Sequence, residues 1–349
     1  MKKKVLLGLA ISLLFLYLAF RNVDFASMLE ALQGVNYWWL LPGIGFMFIS
    51  LAIRAYRWGY FIRPLREVPF RKLYSAMMIG YMANNVFPLR LGEVMRAYVI
   101  GRSANISKTS SFATILVERI IDVISLVVIL GITIFFGEFP DYIQKAGWLI
   151  FTFAVSMVLF IILLMEKTRA TLRFVWILSS PFPTRIKKSI NRLLRKFLAG
   201  FEVFRQTSQY FTIIMQSISL WLLYAGIIYV TFIAFDIEPA HSSLFVASLV
   251  LLVMISIGIM IPSSPGFVGT YHLLCKEGLA LFGVGANEAI SFAIVLHILN
   301  YIPITLVGFY YFWKENLHFK DALAEKEVVE QEIAKSADLR PLPEQVDKE

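Results

Sequence analysis

The chain has 349 residues, of which 58% are hydrophobic and 16% charged, and its net charge is +9. A soluble domain carries about 25% charged residues, so the composition excludes an ordinary soluble fold. The charge does not indicate nucleic acid either: the basic residues sit in loops between long apolar runs, where they report membrane orientation and contact with anionic headgroups. The single cysteine, Cys275, excludes an internal disulfide and a cysteine-cluster metal site.

Lys2, Lys3 and Lys4 precede an apolar run that ends at Phe20. This resembles the start of a signal peptide, but no small-residue cleavage site follows and many more runs do, so an uncleaved first transmembrane helix is expected. The apolar runs are 5–20, 37–53, 73–87, 110–136, 148–165, 211–235, 243–261, 267–282 and 290–313. Segment 26–33 is short and amphipathic and is expected on the outer face. In segment 185–205 apolar residues recur at helical spacing with Lys187, Lys188, Arg192, Arg195 and Lys196 between them, the pattern of a basic amphipathic helix on an anionic membrane surface. Residues 321–349 hold nine acids, four bases, Pro341 and Pro343, and read as a polar, partly disordered tail.

Loop charge sets the topology. If 73–87 crossed the membrane, the loop with Arg96, Arg102 and Lys108 would lie outside, together with 166–209 and its ten Lys/Arg. Both placements break the positive-inside rule. If 73–87 instead turns back with 90–101 as a hairpin, the inside segments (1–4, 54–72, 96–108, 166–209 and 314–320) hold 24 Lys/Arg and the outside segments two. Length agrees, since about 15 helical residues reach roughly 22 Å against a core of ~30 Å. Runs 243–261 and 267–282 form a second hairpin entering from outside, whose tip stops mid-membrane or reaches the cytoplasm. Span, span, hairpin, span then occurs twice, over about 5–136 and 148–313, in opposite orientations. Inverted repeats with broken helices are a transporter design. The expected fold class is therefore an all-α polytopic membrane protein with about six full spans plus two re-entrant helical hairpins arranged as an inverted repeat. It lies in the cell membrane with both termini cytoplasmic.

The first break holds Asn84, Asn85, Pro88, Arg90 and Glu93, followed by Arg96. Pro88 ends the helix and frees carbonyls, which need partners inside a membrane and which the two asparagines are expected to supply. A helix restarting near Leu89 points its N-terminus inward, where its dipole favours an anion, and Arg90 lies there. A phosphate fits such a site; the structural alternative is a kinked helix end with Arg90 and Arg96 snorkelling to the interface. Glu118, Arg119 and Asp122 lie inside the apolar run 110–136, with Glu118 and Asp122 on one face and Arg119 able to pair with Asp122. Charges there cost about 3 kcal/mol each and are functional candidates by default; the alternative is an ion-pair network that neutralises Arg90 or Arg96.

The second break holds Pro262, Ser263, Ser264, Pro265, Gly266 and Gly269, then His272. Two prolines and two glycines so close together break a helix, and the serines with the amides after Gly266 make a second possible anion cradle. His272 donates to a phosphate, relays a proton, or is a structural hydrogen bonder. Lys276 and Glu277, a turn further on, are expected to pair or to approach the surface. His297, Asn300 and Pro303 line the same cavity or serve helix–helix hydrogen bonds. No Walker A, GxSxG, HExxH or Cys/His cluster is present.

The order Asn84-Asn85-Val86-Phe87-Pro88-Leu89-Arg90-Leu91-Gly92-Glu93 with Arg96, then Val117-Glu118-Arg119-Ile120-Ile121-Asp122, then Pro262, Pro265, Gly266, Gly269 and His272, resembles the lysylphosphatidylglycerol synthase transmembrane-region family. This is also the flippase-like or UPF0104 family, and the resemblance covers about 1–315. In the family this module occurs alone, fused to an aminoacyl-phosphatidylglycerol synthase domain, or joined to a glycosyltransferase. In the multiple peptide resistance factor it moves the aminoacylated lipid across the membrane. The resemblance implies lipid translocation rather than synthesis.

The expectation is one flippase-like domain over 1–315 and a polar cytoplasmic tail over 316–349, without enzyme activity, cofactor or metal. The partners are membrane lipids with an anionic or polyprenyl phosphate headgroup. Arg90, Arg96 and Arg119 bind the phosphate; Glu93, Glu118 and Asp122 hold those arginines or take protons; Asn84, Asn85, Ser263, Ser264, Gly266, Gly269 and His272 add hydrogen bonds; Pro88, Pro262 and Pro265 break the helices. The alternative is a non-transporting scaffold that presents lipid to a partner glycosyltransferase or lipid-modifying synthase, with 185–205 as the docking surface.

Overall fold

The computed structural model describes residues 2–87, 91–137, 141–166, 209–260 and 265–317, and every element among them is helical. The helices are α1 (Lys2–Phe20), α2 (Phe25–Gln33), α3 (Leu40–Ile62), α4 (Phe70–Val86), α5 (Gly92–Ala104), α6 (Lys108–Phe136), α7 (Asp141–Glu166), α8 (Tyr210–Ala234), α9 (Leu244–Met260), α10 (Thr270–Ala280) and α11 (Ala286–Lys314). Short 3-10 turns at Tyr37–Trp39 and Pro265–Phe267 lead into α3 and precede α10. The expected interfacial helix 185–205 and the tail beyond Leu317 lie outside the described residues, as do Pro88, Arg90, Pro262, Ser263 and Ser264.

Tyr37–Ile62, Lys108–Phe136, Tyr210–Ala234 and Ala286–Lys314 are each long and apolar enough to cross a bilayer. Ala10–Phe20 with Phe25–Gln33 makes a fifth candidate, bent by 81°. Helices suit this role because all their backbone hydrogen bonds are internal, and hydrocarbon offers none. The outward residues of α11 (Ile298, Ile302 and Leu306) are apolar and exposed, as a lipid-facing stripe is. The chain is an all-α membrane protein. The elbow between α1 and α2 is pinned where Asp24 N donates to Asn287 Oδ1 at 2.9 Å.

One boundary differs from the sequence reading, and the difference matters for the site. The apolar run was expected to end at residue 53, with Arg54 and Arg57 in the following inside loop. Instead α3 continues to Ile62, and Arg54 and Arg57 are buried within it at 4% and 0% exposure. They are tolerated there because carboxylates of α6 neutralise them.

Two pairs of shorter helices pack side by side. α4 has 17 residues and α5 has 13, about 26 and 20 Å. α5 runs back along α4: Gly92 N donates to Asn84 Oδ1 at 2.7 Å near the tip, and Lys72 Nζ to Ser103 O at 2.6 Å near the base. A Cβ on Gly92 would overlap the Gly80 carbonyl, so glycine is what lets the limbs touch. α9 and α10 form the second pair, closed at its base by Ala240 N donating to Phe282 O at 3.0 Å. In a membrane, lipid is as apolar as leucine, so such contacts rest on close van der Waals fit rather than on a hydrophobic drive.

Buried side chains fall into two clusters. Trp58, Met77 and Ile100 centre one between α3, α4, α5 and α6. Phe232, Leu251, Cys275 and Phe292 centre the other among α8, α9, α10 and α11. The Pro265–Phe267 turn, in the second break, packs against α4 of the first hairpin.

Candidate functional site

Four arginines and three carboxylates meet inside the helix bundle. Glu118, with no exposed surface, accepts from Arg54 Nη1 at 2.9 Å on one oxygen and from Arg96 Nη2 at 2.8 Å on the other. Asp122, one turn along α6, accepts from Arg57 Nη2 at 2.7 Å and from Arg54 Nη1 at 3.0 Å. The i,i+4 spacing puts both carboxylates on one face of α6, and Arg54 and Arg57, three apart on α3, meet them there. Charge-assisted bonds of this length are the strong kind. Arg119 stands at 3.4 Å from Asp122, 3.8 Å from Glu93 and 3.9 Å from Glu118.

The network also ties the first half of the chain to the second. Arg57 Nη1 donates to Ser217 Oγ at 2.8 Å and Arg54 Nε to Tyr224 Oη at 3.1 Å, both on α8. The Arg96 guanidinium lies 4.2 Å from the centre of the Trp58 ring, whose indole N–H donates to Thr114 Oγ1 at 2.9 Å. A buried cation over an aromatic face gains from the ring quadrupole.

A second polar group surrounds the second break. His297 Nε2 lies 2.9 Å from Gly266 O; a carbonyl only accepts, so Nε2 carries the hydrogen. The His297 ring stacks on Tyr271 at 4.7 Å and meets the edges of His272 at 4.8 Å and Tyr301 at 5.5 Å. His272 Nδ1 accepts from Gly269 N at 3.5 Å. Gly266 has φ +67° and sits so close to Tyr301 that a Cβ would overlap the ring.

α11 connects this group to the first break. Tyr301 Oη donates to Asn85 O at 3.0 Å, and Asn85 Nδ2 donates to Thr305 Oγ1 at 2.8 Å. The freed carbonyl near Pro88 is thus met by a tyrosine of α11, where the sequence reading assigned that task to the asparagines. Asn84 instead satisfies an amide, that of Gly92 at the start of α5, where helix N–H groups lack internal partners.

Apart from Asn84 and Asn85 at the first break, most of the expected site residues that are described fall into two groups. Arg96, Arg119, Glu93, Glu118 and Asp122 share the arginine–carboxylate network. Gly266 and His272 belong to the histidine–tyrosine group, Gly269 packs its backbone on α1 at Ser12, and Pro265 opens the 3-10 turn. Lys276 departs from expectation: it neither pairs with Glu277 nor reaches the surface. It is 9% exposed and donates to Ala19 O at 2.8 Å, because the last turn of α1 leaves carbonyls without helical partners. Sequence reading missed Arg54, Arg57, Ser217, Tyr224 and Tyr301. For the two arginines a signal existed, since they lie three apart and residues on both sides, from Leu51 to Ile62, are largely apolar or aromatic.

Residues 5–308 match the family model described as lysylphosphatidylglycerol synthase TM region. A UPF0104 membrane protein of Methanothermobacter thermautotrophicus is 25% identical over 298 residues, covering 80% of this chain and 86% of its own. One from Pyrococcus horikoshii is 23% identical over 327 residues, 88% and 96% of the two chains. The glycosyltransferase AglD of Haloferax volcanii is 28% identical over 134 residues, which are 37% of this chain and 21% of that protein. With nearly the whole helical bundle matched, the chain belongs to the lysylphosphatidylglycerol synthase TM region family.

Proposed function

We propose that the chain is a lipid translocase of the cell membrane. It carries an anionic phospholipid or a polyprenyl-phosphate-linked lipid from one leaflet to the other, without covalent chemistry. The observation that supports this is the buried network of four arginines against three carboxylates, which leaves one positive charge in excess among the described residues. Uncompensated charge inside a bilayer is costly and marks a substrate path; a lipid phosphate supplies the missing negative charge. In this reading the helix breaks form a polar route near the midplane, the headgroup moves through it, and the acyl chains stay in the bilayer. The topology that goes with it has six spans and two re-entrant hairpins as an inverted repeat, with both termini cytoplasmic.

The test is lipid movement in proteoliposomes with labelled phosphatidylglycerol, phosphatidylethanolamine and a polyprenyl phosphate. Headgroup crossing above protein-free vesicles, lost on Arg96→Gln or Arg119→Gln, is the expected outcome. No movement across the panel sinks the proposal.

The partial match to glycosyltransferase AglD supports a second reading, a scaffold that presents lipid to a partner glycosyltransferase or synthase. Co-purification with such an enzyme, with no lipid movement, would favour it.

A further inference from the structure

The seven charges of the network are not held alike. The side chains of Arg54, Arg57 and Arg96 are 5%, 0% and 3% exposed, and each has a carboxylate oxygen at 2.9, 2.7 and 2.8 Å. Arg119 is 37% exposed and has no carboxylate oxygen nearer than 3.4 Å among the described residues. Its Nε is buried without a hydrogen bond, as are those of Arg57 and Arg96, so exposure and carboxylate distance are what set Arg119 apart. Glu93, on the first turn of α5, is 18% exposed and stands 3.8 Å from the Arg119 Nε, beyond hydrogen-bond range.

On the lipid-translocase reading, we propose that Arg119 is the residue that takes the headgroup phosphate. Glu93 is then its displaceable internal counter-ion, and Arg54, Arg57 and Arg96 are positioning residues. The reasons are physical. Arg54, Arg57 and Arg96 cannot leave Glu118 and Asp122 without stranding a buried carboxylate, the costliest change such a network can suffer. Arg119 strands little, because Glu118 and Asp122 keep their short bonds to the other three arginines when it moves. A phosphate offers it what no carboxylate gives it now, a bidentate contact with the planar guanidinium fork. Glu93 lowers the positive charge of the empty site and gives way when the phosphate arrives.

The experiment separates binding from transport. Short-chain phosphatidylglycerol and a short-chain polyprenyl phosphate are titrated into the detergent-purified full chain by thermophoresis, and lipid movement is followed separately in proteoliposomes. Arg119→Gln is expected to weaken binding of the preferred probe about ten- to hundredfold, with the thermal midpoint unchanged. Arg119→Lys recovers part of the loss, since it restores charge without the fork. Glu93→Gln tightens binding, whereas a merely structural bridge would make both substitutions harmful. Arg57→Gln lowers the thermal midpoint first. Unchanged affinity in Arg119→Gln, or weaker binding in Glu93→Gln, overturns the proposal. Wild-type binding with no lipid movement defeats the translocase reading and leaves Arg119 as the ligand residue. Movement with full binding in Arg119→Gln does the reverse. No wild-type binding of either probe defeats both.

Discussion

The Tyr301 hydroxyl donates to the Asn85 carbonyl at 3.0 Å, and the same tyrosine ring stands against Gly266. One side chain in the middle of α11 thus touches both helix breaks, which are some 180 residues apart in sequence. It satisfies a carbonyl that the first break frees and blocks any side chain larger than hydrogen at the second.

Tyr301→Phe keeps the ring and removes the donor. Asn85 O is then left without that partner in a part-buried setting, at a cost of about 1–3 kcal/mol. A fall in the thermal midpoint of the detergent-purified protein is expected. An unchanged midpoint would show that Asn85 O finds another partner.

Glu118→Gln should be among the most damaging single substitutions. It leaves Arg54 and Arg96 buried against a neutral amide, and breaking a buried ion pair on one side costs about 3–5 kcal/mol. Adding Arg96→Met removes one stranded charge, so the double variant is expected to be more stable than Glu118→Gln alone. Equal or lower stability in the double variant would count against the network as described.

The two hairpin limbs can be pushed apart selectively. Gly92→Ala places a methyl on the Gly80 carbonyl, which is backbone and cannot swing away. Gly45→Ala, also within a helix, meets nothing within 4 Å. Gly45→Ala is expected to be neutral or stabilising by up to about 1 kcal/mol, from helix propensity. Gly92→Ala is expected to lower the thermal midpoint clearly. Similar midpoints for the two would contradict the close crossing.

The proposed topology can be read by labelling. Cys275→Ala gives a cysteine-free background, into which one exposed position at a time is changed to cysteine. Glu67→Cys and Arg102→Cys should react with a membrane-impermeant thiol reagent only from the cytoplasmic side, and Gly34→Cys and Gly285→Cys only from outside. Labelling of Glu67 and Arg102 from opposite sides would mean that α4 and α5 do not turn back together.

Much of the helical framework was legible because it is written locally. Apolar runs of sufficient length, the prolines at the two breaks, and the charged trio in 110–136 announce helices, interruptions and a polar spot from neighbouring residues alone. The end of α3 was misplaced for the same reason: Arg54 and Arg57 lower local hydropathy, and their compensation comes from Glu118 and Asp122, 64 to 68 residues away.

The sequence by itself determined that the chain is a helical membrane protein with charges and broken helices inside its apolar runs, since burying apolar length depends on composition. Only the tertiary structure decided which arginine answers which carboxylate, that Arg119 is the loosely held one, and that Tyr301 joins the breaks. Those outcomes depend on which distant side chains share a volume with too little water to satisfy them separately.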